Sequence, residues 1–145
     1  MSNEKKNDPR LLASLLEKFN QTDCCWVSTV RPDGRAHLAP IWHVWHKQRA
    51  YLVTPGNSVR AKNLEENQSI SLSLPDPLTV FIMEGAAHST PHMQSELQPL
   101  FQAKYDWNIV TDTPYNCILE ITPTKIMAWG DHGEGRWHFE NGTLV

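Results

Sequence analysis

The chain has little with which to staple itself by covalent or metal bonds. Its three cysteines are Cys24 and Cys25, side by side, and Cys117, far away. That arrangement offers neither a disulfide framework nor a metal-ligand spacing, and small buried strand residues are the plain reading. His43 and His46 are three apart on a predicted strand and so face opposite sides. His88 and His92, with Glu84 and Glu96 nearby, complete no recognised ligand pattern, so no metal site is expected. Long apolar runs are missing, and the opening MSNEKKNDPR lacks a signal peptide's apolar core. A cytoplasmic protein with no membrane partner is expected. Excess charge is missing too: 13 Lys and Arg against 16 Asp and Glu leave a net charge of -3, which provides no basic field for nucleic acid. With only seven glycines there is no phosphate-cradling G-x-x-x-x-G-K-[ST] loop, and no serine sits in a G-x-S-x-G elbow.

Tryptophan is what the chain has in quantity: Trp26, Trp42, Trp45, Trp107, Trp129 and Trp137 could fill a core, an interface or the walls of a planar-ligand pocket. The 145 residues suit one domain. DPRLLASLLEKF predicts an amphipathic helix, with Asp8 as N-cap, Pro9 at the first helical position and Leu11, Leu12, Leu15, Leu16 and Phe19 on one face. Strands are predicted over 25–30 and 35–45, joined by the turn RPDG, with apolar residues on both faces of the second. A third follows over 50–54, then a short helix over about 59–67 and strands over 70–74 and 78–87. A helical excursion around 90–105 is interrupted by Pro99, and strands over 115–122 and 125–129 precede the Gly-rich tail DHGEGRWHF. Six strands joined mostly by hairpin turns predict a mainly β fold, a six-stranded split β-barrel with short flanking helices. The expected organisation is an N-terminal helix within 1–22, a barrel domain over 23–130 and a tail over 131–145.

Two stretches carry candidate chemistry. In TPGNSVRAKNL a helix starting near Ser58 would expose backbone donors and its positive dipole end, with Arg60 and Lys62 adding cationic donors, a combination that suits a phosphate. Caps at Asn57 and Ser58 with solvated cations account for the same residues, and spacing leaves both readings open. In HLAPIWHVWH a planar ligand could lie along the strand against its aromatics, while a core or interface role for the tryptophans is the alternative. Neither His43 nor His88 earns assignment as a catalytic acid or base from sequence.

The ordered set RPDG, PIWHVW and S-x-R-x-K-N-L, continuing through LTVFIMEGAA and YNCILEITPTKIMAWG, resembles the pyridoxamine 5'-phosphate oxidase-like family of FMN-binding split β-barrels. The resemblance implies a homodimer with FMN held in a cleft between subunits and hydride transfer through flavin N5 to or from a small-molecule substrate. It places Ser58, Arg60 and Lys62 around the coenzyme phosphate, with Asn63 holding the helix start and Thr54 near the ribityl chain. Ala39, Pro40, Ile41, Trp42, His43 and Val44 would run beside the ring, and Trp129, or Trp137 of the partner subunit, would close the ring end. A deazaflavin coenzyme, or a non-catalytic flavin or haem carrier, are the alternatives on this fold. The family's namesake oxidases carry Arg-Lys directly after the serine and an arginine in the early strand. This chain has Val59 and Arg60 after Ser58, and Ala39 in the strand, so oxidation of pyridoxamine phosphate itself is not implied.

Overall fold

The computed structural model describes residues 7–145, and residues 1–6, which belong to the expected segment 1–22, lie outside the described residues. Asp8 caps the first helix, its carboxylate accepting from the Arg10 amide at 2.9 Å, and Pro9 occupies a position whose amide needs no partner. Helix α1 (Pro9–Gln21) buries Leu12, Leu15, Leu16 and Phe19. Then come β1 (Cys25–Val30), β2 (Ala36–Ile41), β3 (Val44–His46), β4 (Arg49–Thr54) and α2 (Val59–Glu66). They are followed by β5 (Ser69–Ser73), β6 (Thr79–Ser89), a one-turn helix at Pro91–Met93, α3 (Gln94–Tyr105), β7 (Cys117–Gly130), β8 (Gly135–Glu140) and β9 (Thr143–Leu144).

The expected six-stranded split β-barrel is not what forms. The described residues make nine strands, and the sheet follows an open path, β2-β1-β5-β6-β7-β4-β3, without closing into a barrel. The cause is a break in the strand expected over 35–45, at Trp42 and His43. The Tyr105 hydroxyl accepts from the His43 amide at 3.0 Å, and the His43 carbonyl accepts from Lys104 Nζ at 2.7 Å. With both backbone groups committed to α3, no ladder can continue through His43. β2 therefore pairs with β1 and β3 with β4, which puts the two halves of one sequence run at opposite ends of the sheet. β2 is an edge strand, so its expected burial on both faces is absent: Leu38 is 62% exposed. Two-sided burial belongs to β4, where Ala50 and Leu52 face the main core under α1 while Tyr51 and Val53 face a second core under α3.

The strands expected over 115–122 and 125–129 are one strand, β7. It pairs with β6 along one edge, and with β4 and then β8 along the other. Pro123 sits opposite Gly85 at a bulge, and Gly85 is required there because a Cβ would lie 2.4 Å from the Thr122 carbonyl oxygen. Pro99 does not end α3, since the buried Leu97 and Phe101 hold the helix on either side of it. The Gly-rich tail supplies β8, whose Trp137 is fully buried and donates its indole N–H to the Asp8 carbonyl at 3.1 Å.

His43 is where α1, the strand break and α3 meet. Its ring stacks on Phe19 at 4.2 Å, and Nε2 donates to the Phe19 carbonyl at 2.6 Å, leaving Nδ1 buried without a partner. Burial, helped by the Lys104 charge, pulls its pKa down from 6.5 to about 4. The folded ring is thus neutral where the unfolded ring takes up a proton. This part of the stability is complete above pH 6.5 and is lost as pH falls toward 4, about 3 kcal/mol in all at about 1.4 kcal/mol per tenfold in proton affinity. Chemical denaturation at pH 7.5 and pH 4.5 should show His43→Gln losing less stability on acidification than the parent chain. Tyr105→Phe should cost about 1–3 kcal/mol at neutral pH in the same assay, because the His43 amide loses its acceptor.

Candidate functional site

The segment TPGNSVRAKNL begins where β4 ends. Thr54 closes the strand and Pro55 and Gly56 turn the chain. The Gly56 amide is held by Asn116 Oδ1 at 2.7 Å. Ser58 then caps α2, its Oγ accepting from the Ala61 amide at 3.2 Å and from the Thr54 hydroxyl at 3.1 Å. Two hydroxyls thereby converge at the positive end of a helix. On the inner side of α2, Asn63 is buried and donates to Thr29 Oγ1 at 3.0 Å, which fixes the helix to β1.

Arg60 is the unusual residue. It is only 8% exposed, yet its guanidinium makes just two long hydrogen bonds, to the carbonyls of Ala39 at 3.3 Å and Pro40 at 3.5 Å. Its Nε is buried and has no partner. The ion pairs among the described residues, Arg35 with Asp33 and Glu96 with His46 and Lys47, do not include it. Burial lowers its pKa, although a guanidinium stays charged at any physiological pH. A buried cation paired only with carbonyl dipoles is costly, and an anion in front of it would repay that cost.

In front of it lies a cleft of about 580 Å³, within the size range of small-molecule sites. Six of the sequence candidates line it: Pro40, Ile41, Trp42, Thr54, Ser58 and Arg60. Ala39 contributes the carbonyl that holds Arg60. The others are placed elsewhere. His43 and Val44 turn inward, one against Phe19 and the other into the core under α3. Lys62, two residues beyond Arg60, points to the far side of α2 and lines a separate hollow with Glu65 and Glu66. Trp129 is 48% exposed beside Arg136 in a third hollow, away from the cleft in a single chain.

The rest of the lining includes Trp107, one of the six tryptophans noted in the sequence, and two residues that the sequence did not single out, Asp112 and Tyr115. Trp107, Asp112 and Tyr115, from the segment after α3, line the cleft beside Trp42. Trp42 lies flat on Tyr105, with ring centres 4.4 Å apart and planes 3° apart, and Trp107 meets both Trp42 and Tyr115 edge-on. The one legible signal was aromatic density in YDWN and TPYN. Half-buried between these elements, Lys104 has its pKa pulled down to about 8 by burial, but it is occupied by the His43 carbonyl. Among the described residues no group of three or more His, Cys, Asp or Glu side chains is placed to hold a metal ion.

An open antiparallel sheet thus carries a cationic helix start that borders an aromatic cleft. The sequence pattern of the pyridoxamine 5'-phosphate oxidase family matches residues 11–130, most of the chain. The chain therefore belongs to the pyridoxamine 5'-phosphate oxidase family and shares its general character of flavin-binding oxidoreductases. No curated protein matches the sequence. Among solved structures, a conserved hypothetical protein of Mycobacterium tuberculosis superposes with a TM-score of 0.71 at 21% identity, over 83% of this chain and 84% of that one. General Stress Protein 26 of Bacillus anthracis gives 0.64 at 22% identity, over 81% and 92%. A structure named F420 reductase gives 0.64 at 19% identity, over 76% and 94%. At such identities these likenesses establish the fold.

Proposed function

We propose that the cleft binds FMN and that the chain is an FMN-dependent oxidoreductase acting on a small molecule. The observation that carries this reading is Arg60, a buried guanidinium with an orphaned Nε at the wall of a ligand-sized cleft. The donor set suits a phosphate: Arg60, the hydroxyls of Ser58 and Thr54, and the N-terminus of α2. When bound, FMN supplies hydride chemistry at its N5, which accounts for a site without a nucleophile and base in hydrogen-bond reach. The protein's part is to hold and orient. Arg60 neutralises the dianionic end, Pro40 and Ile41 present strand backbone along the cleft, and Trp42, stiffened by Tyr105, offers a flat wall that excludes water. His43 Nε2 is not free to ligate a haem, because it is spent on a buried carbonyl. Val59 and Ala39 still argue against pyridoxamine phosphate as the substrate.

We further propose that the protein acts as a homodimer. Leu38 and Pro40 of β2, Trp26 of β1, Ile82 of β6 and Met127 of β7 share one face of the sheet by register. Leu38 and Trp26, at 62% and 40% exposed, give that face an apolar character that a single chain leaves in water.

The purified protein should be yellow, and the chromophore released on denaturation should be FMN. A colourless protein that fails to take up added FMN overturns the reading, and a released haem or deazaflavin replaces it. Arg60→Gln should weaken FMN by about ten- to a hundredfold, as loss of a charge-assisted hydrogen bond implies, while riboflavin binding changes less than about threefold. Equal losses for both ligands would remove Arg60 from the phosphate site. By light scattering the parent chain should have twice its monomer mass, and Leu38→Glu should reduce it to the monomer value.

A further inference from the structure

We propose, building on the reading of Arg60 as the phosphate site, that anion binding there is proton-linked through His37, whose ring takes up a proton as a phosphate dianion docks. The coenzyme is then gripped more tightly as the medium becomes more acidic across the titration range of that histidine.

His37 lies on β2 between the two attachments of α2 to the sheet. Its cross-strand partner is Thr29, and paired residues of neighbouring strands project to the same face. The Thr29 hydroxyl accepts from Asn63 of α2, so the His37 ring stands on the α2 side. Two residues along β2, Ala39 gives its carbonyl to Arg60. Arg60 and Asn63 are three apart and share a face of the helix, and His37 is set beside that face. His37 Nδ1 and Arg60 Nε are both buried without a partner. Two of the four buried side-chain atoms left unpartnered among the described residues thus belong to one seam between strand and helix. Arg60 Nε is an idle donor, and His37 Nδ1 becomes a second one when the ring is protonated.

The charges around the ring have one sign. Burial, with the Arg31 and Arg60 guanidiniums, holds the His37 pKa below 6.5. Arg31 is fixed just past β1, donating to the Ala36 carbonyl at 2.7 Å. In the turn that leads to β2, Asp33 is spent on Arg35. Elsewhere on α2, Lys62, Glu65 and Glu66 line the hollow on its far side. The ring is therefore neutral at neutral pH while Arg60 has no anion. A dianion beside Arg60 offsets the repulsion from the guanidinium and raises the proton affinity of His37. By linkage, a ligand that raises the proton affinity is itself bound more tightly by the protonated form. Riboflavin carries no phosphate and has no such effect.

The test follows the His37 ring resonances by NMR in the full-length protein over about pH 4.5–8, where a histidine held somewhat low titrates. They are identified among the seven histidines by their absence in His37→Asn or, should that variant not fold, in His37→Gln. Reading the ring itself keeps the titration of the coenzyme phosphate out of the result. Saturating FMN should raise the His37 midpoint by at least about half a pH unit, equivalent to about threefold tighter FMN on the protonated form, and riboflavin should leave it in place. Inorganic sulfate, a dianion throughout this range, should move the midpoint in the same direction as FMN. Arg60→Gln should raise the midpoint of the free protein, by removing a cation, and abolish the response to FMN. If FMN binds and the midpoint stays, or riboflavin moves it as far, the proposal falls while the coenzyme reading stands. If FMN does not bind but sulfate raises the midpoint, the linkage at Arg60 stands and the coenzyme reading falls. A midpoint that neither FMN nor sulfate moves overturns the proposal.

Discussion

The architecture turns on the commitment of one residue's backbone. The His43 amide and carbonyl are spent on Tyr105 and Lys104, and neither group is left for a β-ladder. A run that would otherwise continue as a single strand is cut, and its two pieces end on opposite edges of the sheet. The same cut turns Trp42 out of the ladder, where it can lie flat on Tyr105 and form part of the cleft. Fold and site are thus consequences of one cross-link between a strand break and the end of α3.

Two buried titratable side chains show opposite solutions to the cost of desolvation. His43 gives up its charge: its ring is neutral, donates once to a helix carbonyl and stacks on Phe19. Arg60 cannot do so, because a guanidinium does not deprotonate in the accessible pH range, and its charge persists with only carbonyl dipoles for company. The first arrangement is complete within the protein and reads as structure. The second is incomplete, and the residue that carries it lines a cleft.

Local chemistry was the part legible in the sequence. Asp8 and Pro9 announced α1, and RPDG announced a hairpin whose Gly34, at φ +89°, lies in the left-handed region. Ser58 as a cap and Arg60 beside it were also legible, since they depend on neighbours within a turn. What could not be read depends on distant partners. The break at His43 is imposed by a residue 62 positions further on, while PIWHVW by itself reads as an unbroken strand. Whether a sheet closes is likewise invisible in the alternation of any one strand. Lys62 looks equivalent to Arg60 in the written sequence, and only the phase of the helix sends the two to different sides. Trp107, Asp112 and Tyr115 come from a segment with no periodicity, so nothing in their spacing pointed to a shared wall.

The contact between Trp137 and the Asp8 carbonyl bears on how the chain is made. Trp137 fills the main core against α1, which precedes it in the chain by more than a hundred residues, and Ser14 meets His132 at 2.9 Å across the same seam. During synthesis α1 therefore waits with Leu12, Leu15 and Phe19 lacking their final cover until the C-terminal hairpin emerges.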